Sequence, residues 1–198
     1  MTTEATTTPT TPGAKRPALE AAKLGEDING KVFIITGSYS GIGVETAKAL
    51  LTEGGKIVIG GRNPKLLEKF SKEMKDAYSE DQVDGFVIDL GDLESVQKFA
   101  EYVLSKNYKD IRLICNAGVM NTPKGTTTSG YETQMGVNVI GHFLLAKLLV
   151  GVTARQIWVS SLGHTLVRTF LFAVLCFSIQ CKLTYPLLRI RAQGLTLT

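Results

Sequence analysis

The sequence predicts an α/β fold: a three-layer doubly wound parallel sheet whose C-terminal strands are incomplete. Three observations predict it. Short apolar, β-branched runs recur from Lys31 onward. Each is followed by a segment whose apolar residues repeat at helical spacing. The runs lack the polar alternation of a half-solvated strand, so they read as strands covered on both faces. Strictly alternating strand and helix units imply parallel strands joined by right-handed crossovers.

The elements follow in order. Val32-Phe33-Ile34-Ile35-Thr36 is the first strand. A glycine-rich turn leads from it into a helix over Ile42 to Glu53, stopped by Gly54-Gly55. Lys56 to Gly60 is the second strand. Asn63-Pro64 starts the next helix, with Asn as N-cap and Pro at the first helical position. Leu66, Leu67, Phe70, Met74 and Ala77 mark one face of that helix. Val83 to Leu90 is the third strand, and Leu93, Val96, Phe99, Ala100 and Val103 stripe the helix after it. Ile111 to Cys115 is the fourth strand, Tyr131 to Val150 a long apolar helix, and Gln156 to Ser160 the fifth strand.

Composition agrees with a globular domain. The chain has 198 residues, of which 44% are hydrophobic and 20% charged. A net charge of +4 is too small to argue for nucleic acid. Cys115, Cys176 and Cys181 form no disulfide framework, so a reducing compartment, the cytoplasm, is expected. Two histidines and no Cys/His cluster argue against a metal site. Charge is unevenly spread. All 18 acidic residues lie at or before Glu132, and only six basic residues follow it, Lys147 through Arg191. The tail is therefore acid-free, basic and apolar, unlike the rest of the chain.

Thr36-Gly37-Ser38-Tyr39-Ser40-Gly41-Ile42-Gly43 joins the first strand to the first helix. A diphosphate needs backbone that approaches without a Cβ in the way, and helix N-terminal amides aimed at it. Gly37, Gly41 and Gly43 meet the first need and the following helix the second. The second strand then ends Gly60-Gly61-Arg62-Asn63, with no acid. A carboxylate there would bind a ribose 2′-hydroxyl, whereas a guanidinium pairs with a 2′-phosphate. Arg62 therefore argues for NADP(H) over NAD(H), with Asn63 beside it counted among the cofactor-binding residues.

The pattern resembles the short-chain dehydrogenase/reductase family, nearest its retinol-dehydrogenase-like and protochlorophyllide-reductase-like branch. Further segments match in order over about Lys31 to His164. Asp89-Leu90 stands where the family's Asp meets the adenine ring. Asn116-Ala117-Gly118 resembles the family's NAG element. Asn138, within Gly136-Val137-Asn138-Val139-Ile140-Gly141-His142, matches the helix Asn that supports a proton relay. Ser161 stands where the family places its catalytic Ser, which steadies the substrate oxygen. The resemblance implies a Rossmann domain over 31–164. It also implies hydride transfer between nicotinamide and a small, lipophilic carbonyl or alcohol. The Thr/Pro-rich stretch before that domain, 1–30, reads from its composition as a disordered tail, with an organelle transit peptide as the alternative. His142 and His164 read as packed or surface residues without a catalytic role, and Cys115 as an inert small hydrophobe.

The family pattern breaks after Ser161. Its proton-exchanging Tyr is followed four residues later by a Lys that lowers the phenol's pKa. Here the one downstream Tyr is Tyr185, followed by Pro186 and by Arg189 at that offset. Arg does not deprotonate in proteins and cannot relay a proton, and Pro186 allows Tyr185 only at a helix start. Asn138 and Ser161 also stand closer than the family pattern has them. Residues 165–198 are atypical, and a misread or truncated transcript is one expectation for them. The apolar run Phe170 to Cys181 is too short for a comfortable membrane span. It reads first as buried, with a membrane-associated segment over 166–181 as the alternative. Three functions therefore stand at this point: an NADP-dependent oxidoreductase, an NADP-binding pseudoenzyme or truncated product, and a membrane-associated nucleotide-binding protein. The long helix is the candidate face for a homo-oligomer.

Overall fold

The computed structural model describes residues 27–160. Most of the 1–30 tail, Ser161, His164, the 166–181 segment, Tyr185 and Arg189 lie outside the described residues.

Five parallel strands form one sheet in the order β3-β2-β1-β4-β5. They are β1 (Val32–Thr36), β2 (Lys56–Gly61), β3 (Val83–Val87), β4 (Ile111–Cys115) and β5 (Thr153–Trp158). Helix α1 (Ile42–Thr52) follows β1, α2 (Pro64–Ala77) follows β2 and α3 (Leu93–Ser105) follows β3. After β4 come a short helix α4 (Thr133–Met135), a π-helical turn over Gly136–Gly141, and α5 (His142–Leu149). The doubly wound sheet is thus present.

Strand alternation divides the core between the two faces. Val32, Ile34, Val58, Leu113 and Cys115 pack with Val96, Phe99 and Val103 of α3 and Leu145 and Leu149 of α5. Phe33, Ile35, Ile57, Ile59 and Ile114 pack with Ala47 and Leu51 of α1 and Leu67, Phe70 and Met74 of α2. Burying Phe99 or Leu145 fully stabilises the fold by about 1.5–3 kcal/mol each.

Several boundaries differ from expectation, each for a physical reason. β3 ends at Val87, the partner of Gly61 at the end of β2. Ile88 still donates its N–H to the Gly61 carbonyl at 3.1 Å, and Leu90 is buried beyond it by packing. β5 begins at Thr153 and ends at Trp158, not Ser160. It pairs only with β4 among the described residues and follows an irregular register at Ile111/Arg112. On α2, Leu67, Phe70 and Met74 are buried; Leu66 is exposed, one residue and about 100° from Leu67, and Ala77 is exposed at the helix's last position. The expected Tyr131–Val150 helix starts only at Thr133, where the Glu132 carboxylate accepts from Gln134 and Met135 backbone N–H at 2.9 and 2.7 Å.

Candidate functional site

In a parallel sheet every strand opens onto the same edge at its carboxyl end, and the strand order reverses between β1 and β4. That reversal leaves a crevice where ligands of such folds bind.

The loop after β1 shows the geometry a diphosphate requires. Gly37 (φ 69°) and Gly41 (φ 55°) hold conformations that other residues rarely adopt. A Cβ on Gly41 would project into open space, so a ligand can come down onto bare backbone there. A Cβ on Gly43 would lie 2.5 Å from the Gly37 carbonyl oxygen and 2.8 Å from Asn116 Nδ2, so α1 sits as close to the loop as glycine allows. Helices α2 and α3 have side-chain caps from Asn63 and Asp92, but Gly41 gives α1 none. The first turn of α1 therefore has no side-chain cap, and of its amides Val44 N–H reaches the Gly41 carbonyl at 3.2 Å. Ser38 is buried, with its hydroxyl donating to the Ile35 carbonyl at 3.3 Å, so it braces the loop from below. Ser40 is exposed beside Gly41, and Ile42 is exposed at 71% although it is a large hydrophobic residue. These residues fit a dinucleotide.

Tyr39 links this loop to the end of β2. Its ring occupies the space a Gly61 side chain would need, and its hydroxyl accepts the Asn63 N–H at 3.2 Å. Asn63 Oδ1 caps α2 through Lys65 and Leu66 N–H at 3.0 and 3.2 Å, as the sequence predicts. Its side-chain oxygen is thus committed to the helix. Arg62 between them is exposed, and no hydrogen bond or ion pair engages its guanidinium among the described residues.

The loop after β4 is tied to the loop after β1. Asn116 Nδ2 donates to the carbonyls of Thr36 (2.9 Å) and Gly37 (3.3 Å). The backbone N–H groups of Asn116 and Ala117 both donate to Thr36 Oγ1 at 3.0 Å. A Cβ on Gly37 would stand 3.0 Å from Ala117 Cα, which explains the close fit of the two loops. Gly118 faces Asn138, whose side chain grips Val119 from both ends. Asn138 Nδ2 donates to the Val119 carbonyl and Oδ1 accepts the Val119 N–H, each at 2.8 Å. Asn138 lies within the π-helical turn. Gly141, at the end of that turn, lies so close to the Leu90 carbonyl that a Cβ would overlap it.

Asp89 and Leu90 follow β3. Asp89 Oδ1 accepts the Gly91 N–H at 2.8 Å and its own N–H donates to Ser95 Oγ at 2.9 Å. His142 is 2% exposed, and burial pushes its imidazole below the ordinary histidine value, partly countered by the Asn138 carbonyl beside it. Burial also pushes the Cys115 thiol up to about 12. No group of three or more potential metal ligands occurs among the described residues, and no described helix is long and apolar enough to cross a membrane.

The structure thus gathers the loop residues Gly37 to Gly43, Arg62, Asn63, Asn116 to Gly118 and Asn138 at the strand ends. The catalytic candidates Ser161 and Tyr185 lie outside the described residues. Sequence reasoning missed Thr36, Val119 and His142 as members of the site's framework. A hydroxyl at the last position of a buried strand was the available signal for Thr36.

A family model described as short chain dehydrogenase matches residues 31–158. The "Short-chain dehydrogenase/reductase prx1" of Penicillium roqueforti is 39% identical over 166 residues, covering 77% of this chain and 48% of that protein. "Retinol dehydrogenase 12" of Mus musculus is 41% identical over 142 residues, covering 69% of this chain and 45% of that protein. The chain spans about half the length of the curated relatives it matches. The crystal structure of L-sorbose reductase from Gluconobacter frateurii, complexed with NADPH and L-sorbose, superposes with a TM-score of 0.53 at 29% identity. That match covers 63% of this chain and 48% of the reductase.

Proposed function

This chain belongs to the short-chain dehydrogenase family, and from that premise we propose that it serves an NADP-dependent oxidoreductase acting on a small lipophilic carbonyl or alcohol. The observation that carries the cofactor choice is Arg62. It stands exposed at the end of β2, with no carboxylate beside it in Gly60-Gly61-Arg62-Asn63. A guanidinium there pairs bidentately with a 2′-phosphate and offers a ribose hydroxyl no acceptor.

The nicotinamide dinucleotide, when bound, supplies or accepts the hydride. The chain's own residues bind and orient. The amides at the start of α1 and the bare backbone at Gly41 would hold the diphosphate. Asp89 and Leu90 would border the adenine, and Asn116, Ala117 and Gly118 would line the loop tied to the end of β1. By the family resemblance, Asn138 would support the proton relay from within the π-helical turn, Ser161 would orient the substrate oxygen, and Tyr185 would exchange the proton. A lipophilic substrate is supported by the likeness to a protein named retinol dehydrogenase. The absence of a disulfide framework fits a cytoplasmic setting.

A second reading, nucleotide binding without turnover, is favoured by one observation: Arg189 stands four residues after Tyr185, where a Lys is needed to lower the phenol's pKa. Titration of the purified full chain with NADPH and NADH, followed by a panel of carbonyls and alcohols, tests both. The expected result is saturable NADPH binding that weakens about 10- to 100-fold in Arg62→Ala, with NADH affinity little changed. Absence of NADPH binding, or equal loss for both nucleotides, refutes the cofactor assignment. Binding without turnover on the panel selects the second reading.

A further inference from the structure

We propose that His142 is a positioning residue: its Nδ1-protonated imidazole locks the turn carrying Asn138 to the Thr36 hydroxyl that holds the Asn116 and Ala117 amides.

Hydrogen-bond accounting leads to this assignment. His142 Nδ1 lies 3.1 Å from the Asn138 carbonyl oxygen. A carbonyl only accepts, so Nδ1 carries the proton. His142 Nε2 lies 2.8 Å from Thr36 Oγ1. That oxygen already accepts two N–H groups, from Asn116 and Ala117, each at 3.0 Å. A hydroxyl has two lone pairs and one proton. With both lone pairs used, the Thr36 O–H must donate, and Nε2 is the near acceptor. The competing acceptor, the Ile114 carbonyl, is at 3.5 Å. A proton on Nε2 would leave three donors facing two lone pairs in a buried place. The Nδ1–H form alone satisfies every group.

The chain of contacts has a direction. Asn138 sits in the π-helical turn, where the i to i+4 backbone ladder is interrupted. The His142 ring replaces the lost regularity with a side-chain bond to the same carbonyl. The edge of Trp158 fixes the ring plane, with centroids 6.1 Å apart and planes at 71°. Asn138 then holds Val119, and Thr36 holds Asn116 and Ala117. One imidazole therefore sets both ends of the loop after β4 against the end of β1. Its consequence for nucleotide affinity rests on the reading proposed above; the tautomer does not.

The test uses the ¹⁵N-labelled full chain without ligand at neutral pH. The chain has two histidines, and His142→Gln assigns the two signals by subtraction. The expected spectrum shows the proton on Nδ1 and a bare Nε2 for His142. Amide exchange at Asn116 and Ala117 is expected to rise about tenfold in His142→Leu, and NADPH affinity to fall about tenfold. His142→Gln, which carries one donor and one acceptor on a single carbon as the imidazole does, is expected to recover most of both. Thr36→Val, which removes the hydroxyl with little change of shape, is expected to shift the His142 Nε2 signal and keeps the test open if the Leu variant does not fold. A proton on Nε2 in the wild type overturns the proposal. So does a His142→Leu chain with unchanged exchange, or a folded Gln variant no better than Leu. A wild-type chain with this tautomer but no NADPH affinity refutes only the functional reading.

Discussion

Replacing Gly43 by Ala separates steric closeness from backbone conformation at the phosphate loop. The new methyl carbon would stand 2.5 Å from the Gly37 carbonyl oxygen, 2.8 Å from Asn116 Nδ2 and 2.8 Å from Ser38 Cα. None of these neighbours moves easily. The Gly37 carbonyl is part of a turn at φ 69°, and Asn116 Nδ2 is held by two carbonyls. Overpacking of this kind costs about 1–3 kcal/mol. For a chain of this size that lowers Tm by about 2–4 °C per kcal/mol. The displaced atoms are those that shape the crevice, so NADPH affinity falls as well. Gly41→Ala makes the opposite case. Its methyl meets nothing within 4 Å, but φ is 55°. Its stability cost is backbone strain of about 1–3 kcal/mol, and its methyl stands where a phosphate would approach. Thermal unfolding and nucleotide titration of both variants decide the matter. Gly43→Ala with wild-type Tm and wild-type affinity would refute the packing argument. Gly41→Ala with undiminished affinity would refute the placement of the diphosphate over that residue.

Asp84 provides a pH prediction. Burial alone would raise its carboxyl, but Tyr102 and Tyr108 hydroxyls at 2.6 Å, the Gly85 N–H and Lys106 outweigh burial and hold it below the usual carboxylate range. A lowered folded pKa adds stability that is present above the unfolded value, about 3.9, and is lost as pH falls through the folded value. Asp84→Asn should therefore flatten the acid limb of a urea-unfolding series and cost about 1–2 kcal/mol at neutral pH; an unchanged limb contradicts the assignment. Cys115, 2% exposed with its thiol pushed up to about 12, should resist iodoacetamide in the native chain and react after unfolding, as read by peptide mapping. Rapid native labelling at Cys115 would show that β4 opens.

The features legible in the sequence are those where a residue type answers a backbone demand. Gly37 and Gly41 need positive φ, Gly43 needs closeness, and Asn63-Pro64 supplies a cap and a first-turn φ, so each could be placed from its neighbours. Features that depend on a partner element were not legible. Nothing in the order of residues 83–90 says that β2 stops at Gly61 and so ends the pairing of β3. Thr153, Ala154 and Arg155 do not look like a buried strand, and in the structure they are not one: every residue of β5 is half-buried or exposed. Apolar periodicity cannot distinguish a π turn from α-helix over 136–141, because the turn is fixed by Gly141 against the Leu90 carbonyl, a contact across elements. Tyr39 is not one of the motif's glycines, yet its ring fills the space beside Gly61 and its hydroxyl accepts the Asn63 N–H.

The distribution of satisfied polar groups explains why this crevice would favour an anion. Thr36, Asn116, Asn138 and Val119 use one another's donors and acceptors, so the loops after β1 and β4 are held before any ligand arrives. Little ordering is left for binding to bring about, which removes a cost that flexible loops would incur. What the framework leaves open is cationic or dipolar: the N-terminus of α1, which has no side-chain cap, and the exposed Arg62 guanidinium. Both favour negative charge, and they lie on adjacent strands joined by Tyr39. A neutral ligand of the same shape would gain the fit but not the charge pairing. Selectivity at this edge of the sheet therefore follows from where hydrogen bonding is complete as much as from where it is not.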